Sequence, residues 1–474
     1  SSTSAGLFVL TPVTTKEDFE KSFGDLSTGI PVQLTGKVRE PSQQTVIEIL
    51  GPQAVTVIAP TTSLPIPVPL DPPVSMAEAL AYYETLEGMF VTIDGEALAV
   101  SPISKYGETV VVLPKHGRER IFQGEENGIM IMVDDGSSVT YTDSTQMPYL
   151  VSVGDRLSGL TGPLAYTYGR YKLEPVTPPV ILAGAAAQPG ITPATSDEYT
   201  LMTWNVENLF DPLPPHPTDP PLPSPSEYRV PLEKVAHTIE AAGFPIIIGL
   251  QEVENIRVLN DLAEHPILSA YKYQAVLIEG NDSRGIDVGY LVRTDRATVL
   301  DVEAYPAPEG LFSRPPLVLH VEVQTSTGQD QLYVLNNHYT SMSEGEEATE
   351  PRRTAQAKWN ITLMEDILAR DPQALIAVIG DLNSYFISAP IQALRDGGLV
   401  HVFDTIPPEE RYTYIYEGES EVLDHILLNP ALMSALSRVE VLHVNADYPL
   451  SAPDDTSSRH KSDHDPVIVA FTIN

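Results

Sequence analysis

Several residue types and motifs are missing from this sequence of 474 residues, and each absence excludes something. There is no cysteine, which excludes disulfide bonds, disulfide-linked partners and thiolate metal sites. No apolar run approaches the ~20 residues that a membrane-spanning helix needs. The GxSxG, HExxH, Walker A and GxGxxG patterns are also absent. A serine hydrolase, a zinc protease and a nucleotide-driven or dinucleotide-dependent enzyme therefore have no support.

Basic residues are scarce. The chain has 28 Lys and Arg against 64 Asp and Glu, a net charge of −36. A nucleic-acid-binding protein usually presents a basic face, because phosphate neutralisation supplies most of its affinity. Two interpretations follow. Either the substrate is not a polyanion, or divalent cations at a carboxylate site and a local basic patch overcome the repulsion.

The chain is long enough for about two to three domains. Its first part holds short β-rich runs separated by turn residues, which is typical of an all-β barrel or sandwich, with one helix predicted over Met76–Leu86. Strands and helices alternate in the second part, which predicts mixed sheets with helices on their outer faces. The predicted boundaries are a β-rich region over 1–183, a linker over 184–198 and a catalytic domain over 199–474. A proline-rich stretch, Asp211–Tyr228, predicts polyproline II structure.

Polar side chains recur where apolar strands of the second part begin or end. Each has an ordinary explanation on its own, since Asn and Asp commonly terminate strands. Six strand ends are much harder to obtain by chance, and strand ends are where α/β folds bind ligands. The residues are Asn205, Glu207, Glu252, His338, Asp381, Asn383, Asp424, His425, Asp463 and His464.

These residue types indicate phosphoryl chemistry. Glu252 and Asn205 offer the hard oxygen ligands that suit Mg²⁺, Mn²⁺ or Ca²⁺. His338 and His464 could act as imidazolium groups beside carboxylate partners. Together with amide donors, a metal and imidazolium would stabilise a phosphoryl group that develops negative charge.

Seven ordered motifs carry a resemblance to a known family: "TWNVENLF", "GLQEVEN", "RGIDVGYLV", "NNHYTS", "GDLNSY", "VLDHILL" and "SDHDPV". They resemble the endonuclease/exonuclease/phosphatase superfamily, and more closely its bacterial extracellular deoxyribonuclease branch. The segment that begins "LEGMFVTIDG" resembles the OB-like region that precedes the nuclease domain in that branch. The resemblance implies an α/β fold, a four-layer αββα sandwich of two mixed sheets flanked by helices, after a β-rich OB-like region.

The resemblance also implies roles for individual residues. The metal positions are Glu252, Asn205 and Asp463, and the catalytic positions are His338, Asp381, Asn383, His464, Asp424 and Asp287. Asp287 is expected to pair with His338 and Asp424 with His464, which would place the strands after Asp424 and His464 side by side in one sheet. Whether Asp381 or His464 takes the proton from water is left open. Arg284, Arg314 and Lys461 lie near the motifs and are predicted to bind substrate.

The function expected from these observations is a secreted phosphodiesterase, extracellular or in the cell envelope, that depends on Mg²⁺ (or Mn²⁺ or Ca²⁺). Its expected substrate is nucleic acid, with DNA cut internally. The alternative is a phosphatase or a phospholipid or sphingomyelin phosphodiesterase on the same fold, which suits the acidic charge better. A minor alternative is a non-catalytic binding protein. The tyrosines of "YTYGRYK" could hold single-stranded nucleic acid or could simply pack within a barrel.

Overall fold

The computed structural model describes the chain except for residues 1–5, 14–15, 25, 27, 42–43, 59–63, 185–189, 217–221 and 473–474. The chain divides into two compact units, Ser1–Ala186 and Ala187–Asn474. Residues 185–189 of the predicted linker and residues 217–221 of the predicted polyproline segment lie outside the described part.

The first unit is rich in β-structure. Nine of its strands form one sheet in the order β15-β12-β8-β9-β11-β14-β13-β7-β6, and smaller sheets have the orders β1-β4-β3 and β2-β5. The strands are β1 (Phe8–Leu10), β2 (Val32–Leu34), β3 (Lys37–Arg39), β4 (Val46–Glu48), β5 (Val55–Val57), β6 (Val68–Pro69), β7 (Phe90–Thr92), β8 (Glu96–Ala99), β9 (Glu108–Val112), β10 (Ile121–Phe122), β11 (Ile131–Asp134), β12 (Arg156–Ser158), β13 (Thr161–Thr167), β14 (Arg170–Leu173) and β15 (Val180–Leu182). The helices are α1 (Lys16–Phe23) and α2 (Met76–Glu84), and α2 occupies the segment predicted to be helical.

The tyrosines of "YTYGRYK" mostly pack against one another. The ring of Tyr171 lies 4.7 Å from that of Tyr166 and 5.6 Å from that of Tyr83, measured between centroids. Lys172 is buried, and its ammonium group pairs with two carboxylates of the same unit. Tyr168 differs, with 92% of its surface exposed. The contacts of Tyr166 and Tyr171 are therefore those of strand packing.

The second unit alternates strands and helices. Its helices are α3 (Pro225–Ala241), α4 (Ile256–Glu264), α5 (Glu346–Arg370), α6 (Ala389–Asp396) and α7 (Pro430–Met433). Its strands are β16 (Glu198–Leu209), β17 (Ile247–Val253), β18 (Tyr273–Leu277), β19 (Asp287–Arg293), β20 (Ala297–Ala304), β21 (Leu317–Gln324), β22 (Gln329–His338), β23 (Leu375–Asp381), β24 (Val400–His401), β25 (Tyr414–Tyr416), β26 (Glu419–Glu421), β27 (Asp424–Leu428), β28 (Leu436–Val441) and β29 (Val467–Thr472).

The second unit contains two six-stranded sheets, with the strand orders β18-β19-β17-β16-β29-β28 and β20-β21-β22-β23-β27-β24. Both sheets are mixed. In the first, β16 is parallel to β17 and antiparallel to β29. In the second, β23 is parallel to β22 and antiparallel to β27. The prediction of a mixed α/β fold for this part of the chain is confirmed.

Successive side chains of a strand point to opposite faces of its sheet. Neighbouring apolar residues of one strand therefore belong to different hydrophobic clusters. Leu201 and Ile379 belong to one cluster made of residues from both sheets. Met202, the neighbour of Leu201, packs with residues of α3 and α4. Val378, the neighbour of Ile379, packs with residues of α5 and α6. Each sheet therefore shares one face with the other sheet and presents its second face to helices.

Helix α3 corrects part of the polyproline prediction, because it begins at Pro225, inside the stretch 211–228. Ser224 caps this helix by accepting from the backbone N–H of Glu227, whose side chain accepts from the Ser224 N–H in return. Proline suits the first helical position, because its missing N–H would have no helical partner there. The serine, proline and glutamate at the end of the stretch thus start a helix.

A buried ion pair ties α3 to the loop before β29. The Lys234 ammonium group is almost completely buried and lies 2.8 Å from Asp455 Oδ2. Burial alone would raise the pKa of Asp455, but hydrogen bonds from Lys234 and Ser457 and the charge of Lys234 outweigh it and lower the pKa to about 2. A carboxyl group with a depressed pKa stabilises the fold above its unfolded pKa. This contribution should disappear as the pH falls from about 4 to about 2.

We expect Asp455→Asn to lower the free energy of unfolding at pH 7 by about 1–3 kcal/mol, because it leaves a buried ammonium group without its counter-charge. The difference from the parent protein should shrink towards pH 2. Denaturant unfolding at several pH values measures both effects. Glu233→Gln is the control, since the Arg229–Glu233 pair is an exposed i,i+4 pair worth less than about 0.5 kcal/mol. Equal effects of the two substitutions would contradict the prediction.

Candidate active site

Strand ends from both sheets meet at one place. β16 and β17 are parallel, so Asn205 and Gln251 pair near their carboxyl ends, and antiparallel β29 begins at the same edge, where Val467 pairs with Thr203. In the other sheet, Asp381 at the end of β23 pairs with His338 of β22 on one side and with Asp424 of β27 on the other. The register of these six strands thus gathers most of the predicted site residues.

His464 faces two carboxylates through its two ring nitrogens. Its Nδ1 lies 2.7 Å from Asp424 Oδ2, and its Nε2 lies 3.9 Å from Asp381 Oδ2. Burial alone would lower the pKa of His464, but the charges of Asp424 and Asp381 and the hydrogen bond to Asp424 outweigh it. The pKa of His464 is therefore raised well above its usual value, which favours imidazolium.

The predicted Asp424–His464 pair is present, but the predicted sheet neighbourhood is wrong. Asp424 begins β27 in one sheet, whereas His464 precedes β29 in the other. The pair therefore bridges the two sheets. Strand-end motifs locate residues at an edge, but they do not say which sheet each strand joins.

His338 has a different environment. Its Nε2 lies 3.5 Å from Asp381 Oδ2 and 3.7 Å from Glu252 Oε1, while its buried Nδ1 has no hydrogen-bond partner among the described residues. The expected pair with Asp287 is not formed, because Asp287 Oδ1 accepts from the Gly280 N–H at 3.0 Å. Burial, followed by the charges of Arg314 and Arg284, lowers the pKa of His338 well below its usual value. His338 is thus a neutral imidazole facing two carboxylates.

An acidic group lies beside the histidines. Glu252 Oε2 accepts from the Asn208 N–H at 3.0 Å, and Asn205 Nδ2 donates to Asp381 Oδ2 at 2.9 Å. Although the Glu207 side chain is exposed at the surface, partial desolvation of its carboxyl group raises its pKa, and the charges of Asp463 and Glu252 raise it further. The half-exposed side chain of Asp463 places Oδ1 3.8 Å from His464 Nε2. Several carboxylates therefore share a small volume.

The backbone at the site takes unfavourable conformations. Glu252, Glu207 and Asn383 have φ angles of 63°, 49° and 44°. These values lie in the left-handed region, which residues other than Gly, Asn and Asp seldom adopt. Such residues cost on the order of 1–3 kcal/mol each and cluster at functional sites. Asn383 is held there by its N–H, which donates to Asp381 Oδ1 at 2.9 Å, and by its Nδ2, which donates to the Tyr339 carbonyl at 3.3 Å. Rigid backbone thus fixes the side chains that face one another.

The segment "KSDHDP" is joined to the end of β16 by hydrogen bonds, and Lys461 takes part in them. The Lys461 ammonium group donates to the Glu207 carbonyl at 3.1 Å, and Ser462 Oγ donates to the Asn205 carbonyl at 2.7 Å. Trp204 Nε1 donates to the His464 carbonyl at 3.0 Å. The Lys461 ammonium group therefore contacts main-chain oxygens of β16, and its binding of substrate stays a prediction.

The two predicted arginines differ in access. Arg284 is about half exposed, and its Nη2 lies 3.4 Å from Glu252 Oε1. Arg314 is buried, with Nη1 donating to Asp282 Oδ2 at 2.6 Å and Nη2 to the Tyr339 carbonyl at 3.5 Å. Arg314 thus acts on the site through its charge, while Arg284 can reach a ligand.

Two residues at the site had no role assigned from the sequence. Glu207 was among the polar residues noted at the strand ends, two positions after Asn205, but no function was given to it. The ring of Tyr414 lies 4.9 Å from the imidazole of His464, between centroids. No motif indicated Tyr414, because β25 meets the site only through the tertiary fold.

The donor set fits a divalent cation of the magnesium type. The available groups are carboxylates and an amide oxygen, and Mg²⁺ is usually held by one or two carboxylates and water, with few protein ligands. Within the described residues, no three His, Asp or Glu side chains form a ready-made metal cage. Glu252 and Asn205, with Glu207 beside them, are the residues that would hold the ion. A bound cation would relieve the repulsion between Glu207 and the neighbouring carboxylates of Asp463 and Glu252.

Among the same described residues, no helix is both long and apolar enough to cross a membrane.

Two family profiles match parts of the chain. A profile of the Endonuclease/Exonuclease/phosphatase family matches residues 200–447, and a profile of a domain of unknown function matches residues 66–183. A search of curated proteins gave no match. The family profile covers Asn205, Glu252, His338, Asp381 and Asp424 and ends before His464.

Several solved structures are similar to the chain. Humanized D. rerio TDP2 with 14 mutations is 18% identical, with 59% of this chain and 100% of that chain covered and a TM-score of 0.42. An endonuclease/exonuclease/phosphatase family protein from Bacteroides thetaiotaomicron is 18% identical, with coverage of 58% and 95% and a TM-score of 0.40. The mannosyl-6-phosphatase Bt3783 of the same organism is 18% identical, with coverage of 57% and 98% and a TM-score of 0.39.

The family profile spans more than half of the chain. The protein therefore belongs to the endonuclease/exonuclease/phosphatase family. Within that family it is a phosphoester hydrolase.

Proposed function

We propose that the protein is a divalent-metal-dependent phosphodiesterase that hydrolyses nucleic acid, with DNA cut internally, outside the cytoplasm or in the cell envelope. The observation that carries this proposal is His464, held by Asp424 at 2.7 Å and facing Asp381 across 3.9 Å. We also propose that the two sheets and their helices form the four-layer sandwich of this family, that the β-rich first unit is the OB-like region of the extracellular branch, and that the domain boundaries lie near residues 183 and 199.

Asp381 is the group that we assign to the attacking water. Burial raises the pKa of its carboxyl group, although the charge of His464 opposes this, and a higher pKa makes the carboxylate a stronger base. Asn383 is fixed beside it by two hydrogen bonds, so its amide can orient a phosphate oxygen. The water would therefore be deprotonated at Asp381 Oδ2 as it attacks phosphorus.

His464 is the group that we assign to the charge that develops on the phosphate. Its Nδ1 proton is directed at Asp424, which leaves Nε2–H to donate to a phosphate oxygen or to the leaving group. Neutral His338 can donate from Nε2 without adding charge. A Mg²⁺ ion held by Glu252 and Asn205 would supply Lewis-acid stabilisation of the same oxygens.

A second candidate, a phosphatase or a phospholipid or sphingomyelin phosphodiesterase, is favoured by an acidic cavity beside Arg284. The cavity has a volume of about 440 Å³, and Glu254, Glu279, Asp282 and Asp287 are among its lining residues. A polyanion would be repelled there, whereas a neutral or cationic substrate group would not. A non-catalytic binding protein is disfavoured, because such a protein would be expected to have lost a histidine or the glutamate.

One assay separates these functions. The protein is incubated with supercoiled plasmid, RNA, a chromogenic phosphodiester and a phosphomonoester, each in Mg²⁺, Mn²⁺, Ca²⁺ or EDTA. Conversion of the supercoiled plasmid to nicked and then linear DNA, only when a divalent ion is present, would support a DNA endonuclease. Hydrolysis of the monoester alone would establish the phosphatase. Activity that persists in EDTA would overturn the metal dependence.

We expect Arg284→Ala to raise the KM for DNA and to flatten the salt dependence of binding by about one unit of slope. The physical reason is that Arg284 is a half-exposed cation at the edge of the site. Each lost contact between a cation and a phosphate lowers by about one the number of counterions released when DNA binds. Filter binding or fluorescence anisotropy at several salt concentrations measures the slope. Arg229→Ala, at an exposed arginine of α3, is the control. An unchanged slope in Arg284→Ala would place the DNA elsewhere on the protein.

A further inference from the structure

Behind the site lies a pair of histidines that the proposed chemistry does not use. His401 and His425 are both completely buried. His401 Nε2 lies 2.8 Å from His425 Nδ1, and His425 Nε2 lies 2.8 Å from the Ser384 carbonyl oxygen. His425 directly follows Asp424, and Ser384 directly follows Asn383. The pair therefore lies between two segments that carry site residues.

The hydrogen bonds assign one tautomer to each ring. The Phe403 N–H is an obligatory donor, and it points at His401 Nδ1 at 3.0 Å, so this nitrogen carries no proton. His401 must then carry its proton on Nε2 and donate it to His425 Nδ1. His425 in turn carries its proton on Nε2 and donates it to the Ser384 carbonyl. Both rings are neutral, and the chain of donors runs in a single direction.

The end of this chain is the turn that holds Asp381 and Asn383. Ser384 is completely buried, and its Oγ donates to the Leu382 carbonyl at 2.8 Å. Two residues further on, the ring of Phe386 meets the imidazole of His401 edge-on, at 4.9 Å between centroids. The histidine pair thus contacts the far side of the turn at two points, opposite the side where Asp381 faces His464.

We propose that His425 is a positioning residue: its Nε2 proton, directed by His401, holds the Ser384 carbonyl and fixes the Asp381–Ser384 turn against His464. This inference rests on the proposed function for its catalytic consequence, but the placement of the turn can be measured without activity. A displacement of about 1 Å in a catalytic group can cost about 100-fold in rate. The effect should fall on kcat, because the turn acts in the transition state more than in substrate binding.

The test compares three variants of the full chain with bis(p-nitrophenyl) phosphate and Mg²⁺. His425→Leu should lower kcat by about 10–100-fold and leave KM within about twofold. His425→Gln, whose side-chain amide can still donate to the Ser384 carbonyl, should recover most of kcat. The control is Asn429→Leu at the other end of β27, which removes buried hydrogen bonds to the Ala374 carbonyl and from the Ile376 N–H. It should lower Tm and leave kcat unchanged.

Amide hydrogen exchange over residues 379–388 gives a second, activity-independent measurement. His425→Leu should speed exchange there, and Asn429→Leu should not. If the parent protein does not hydrolyse the diester, the proposed function fails, and the exchange comparison alone decides the inference. Equal kcat losses in both leucine variants, or unchanged exchange in His425→Leu, would overturn it. If His425→Leu does not fold, His401→Leu, which removes the group that directs the His425 proton, replaces it in both measurements.

Discussion

Replacing His464 with alanine is expected to lower kcat by about 10²–10⁴-fold, the usual range for proton-transfer participation. The imidazolium is maintained by Asp424 at 2.7 Å and by the charge of Asp381, and alanine removes the donor that faces the phosphate. KM should change little, because these contacts strengthen mainly in the transition state. Steady-state kinetics with a chromogenic phosphodiester measure both constants.

Two further variants complete this experiment. Asp424→Asn keeps a side chain of the same shape but removes the charge that supports imidazolium, so it should reproduce much of the loss in kcat. His320→Ala is the control, because His320 stacks on Tyr333 at 4.1 Å between ring centroids and contacts no site residue described above. A His464→Ala variant that retains kcat within threefold would show that the imidazole takes no part in the reaction.

Replacing Glu252 with glutamine is expected to weaken Mg²⁺ binding by more than about tenfold, or about 1.4 kcal/mol. Most of the hydrolytic activity should be lost together with Mg²⁺ binding, and excess Mg²⁺ should restore part of that activity. Glutamine has the same shape but lacks the charge, and its amide group would lie close to Arg284, which now stands 3.4 Å from Oε1. Isothermal titration calorimetry with Mg²⁺ alone measures the affinity independently of turnover.

The matched control for this variant is Glu254→Gln, two residues further along. Glu254 is equally buried, but it accepts from the Asp211 N–H and pairs with His216, so its role is to hold the loop after β16. This substitution should lower Tm and leave the Mg²⁺ affinity unchanged. Unaltered affinity in Glu252→Gln would show that the ion, if bound, is held by other oxygens.

The sequence was most informative where a pattern follows directly from backbone geometry. Alternating strands and helices predicted mixed α/β structure, and polar residues at strand ends predicted where side chains converge, because parallel strands end at one edge. Asp424 and His464 are 40 positions apart and form the predicted pair. That pair was expected from the resemblance to the superfamily, since the order of motifs along the chain does not show which side chains meet.

The sequence was least informative on which groups a side chain contacts once it reaches the site. Asp287 lies at the predicted strand end, yet its carboxylate accepts from the Gly280 amide and not from His338. Lys461 lies beside the site, yet its ammonium group satisfies carbonyls of β16. Competition from nearby main-chain groups decided both cases, and a one-dimensional pattern contains no information on which backbone donor or acceptor will be in reach. The sheets to which β27 and β29 belong could not be predicted either, because a strand-end motif does not say which sheet the strand joins.

The hydrogen bonds between β16 and the segment before β29 also determine when the catalytic centre can exist. Trp204 and His464 are separated by 260 positions, and β16 obtains its second strand partner only from β29. Contacts of such sequence separation form late, because closing a long loop costs entropy that local contacts must first offset. During synthesis from the amino terminus, the nascent chain therefore carries Asn205 and Glu252 before His464 can meet them, so the proposed centre is complete only after β29 has paired with β16.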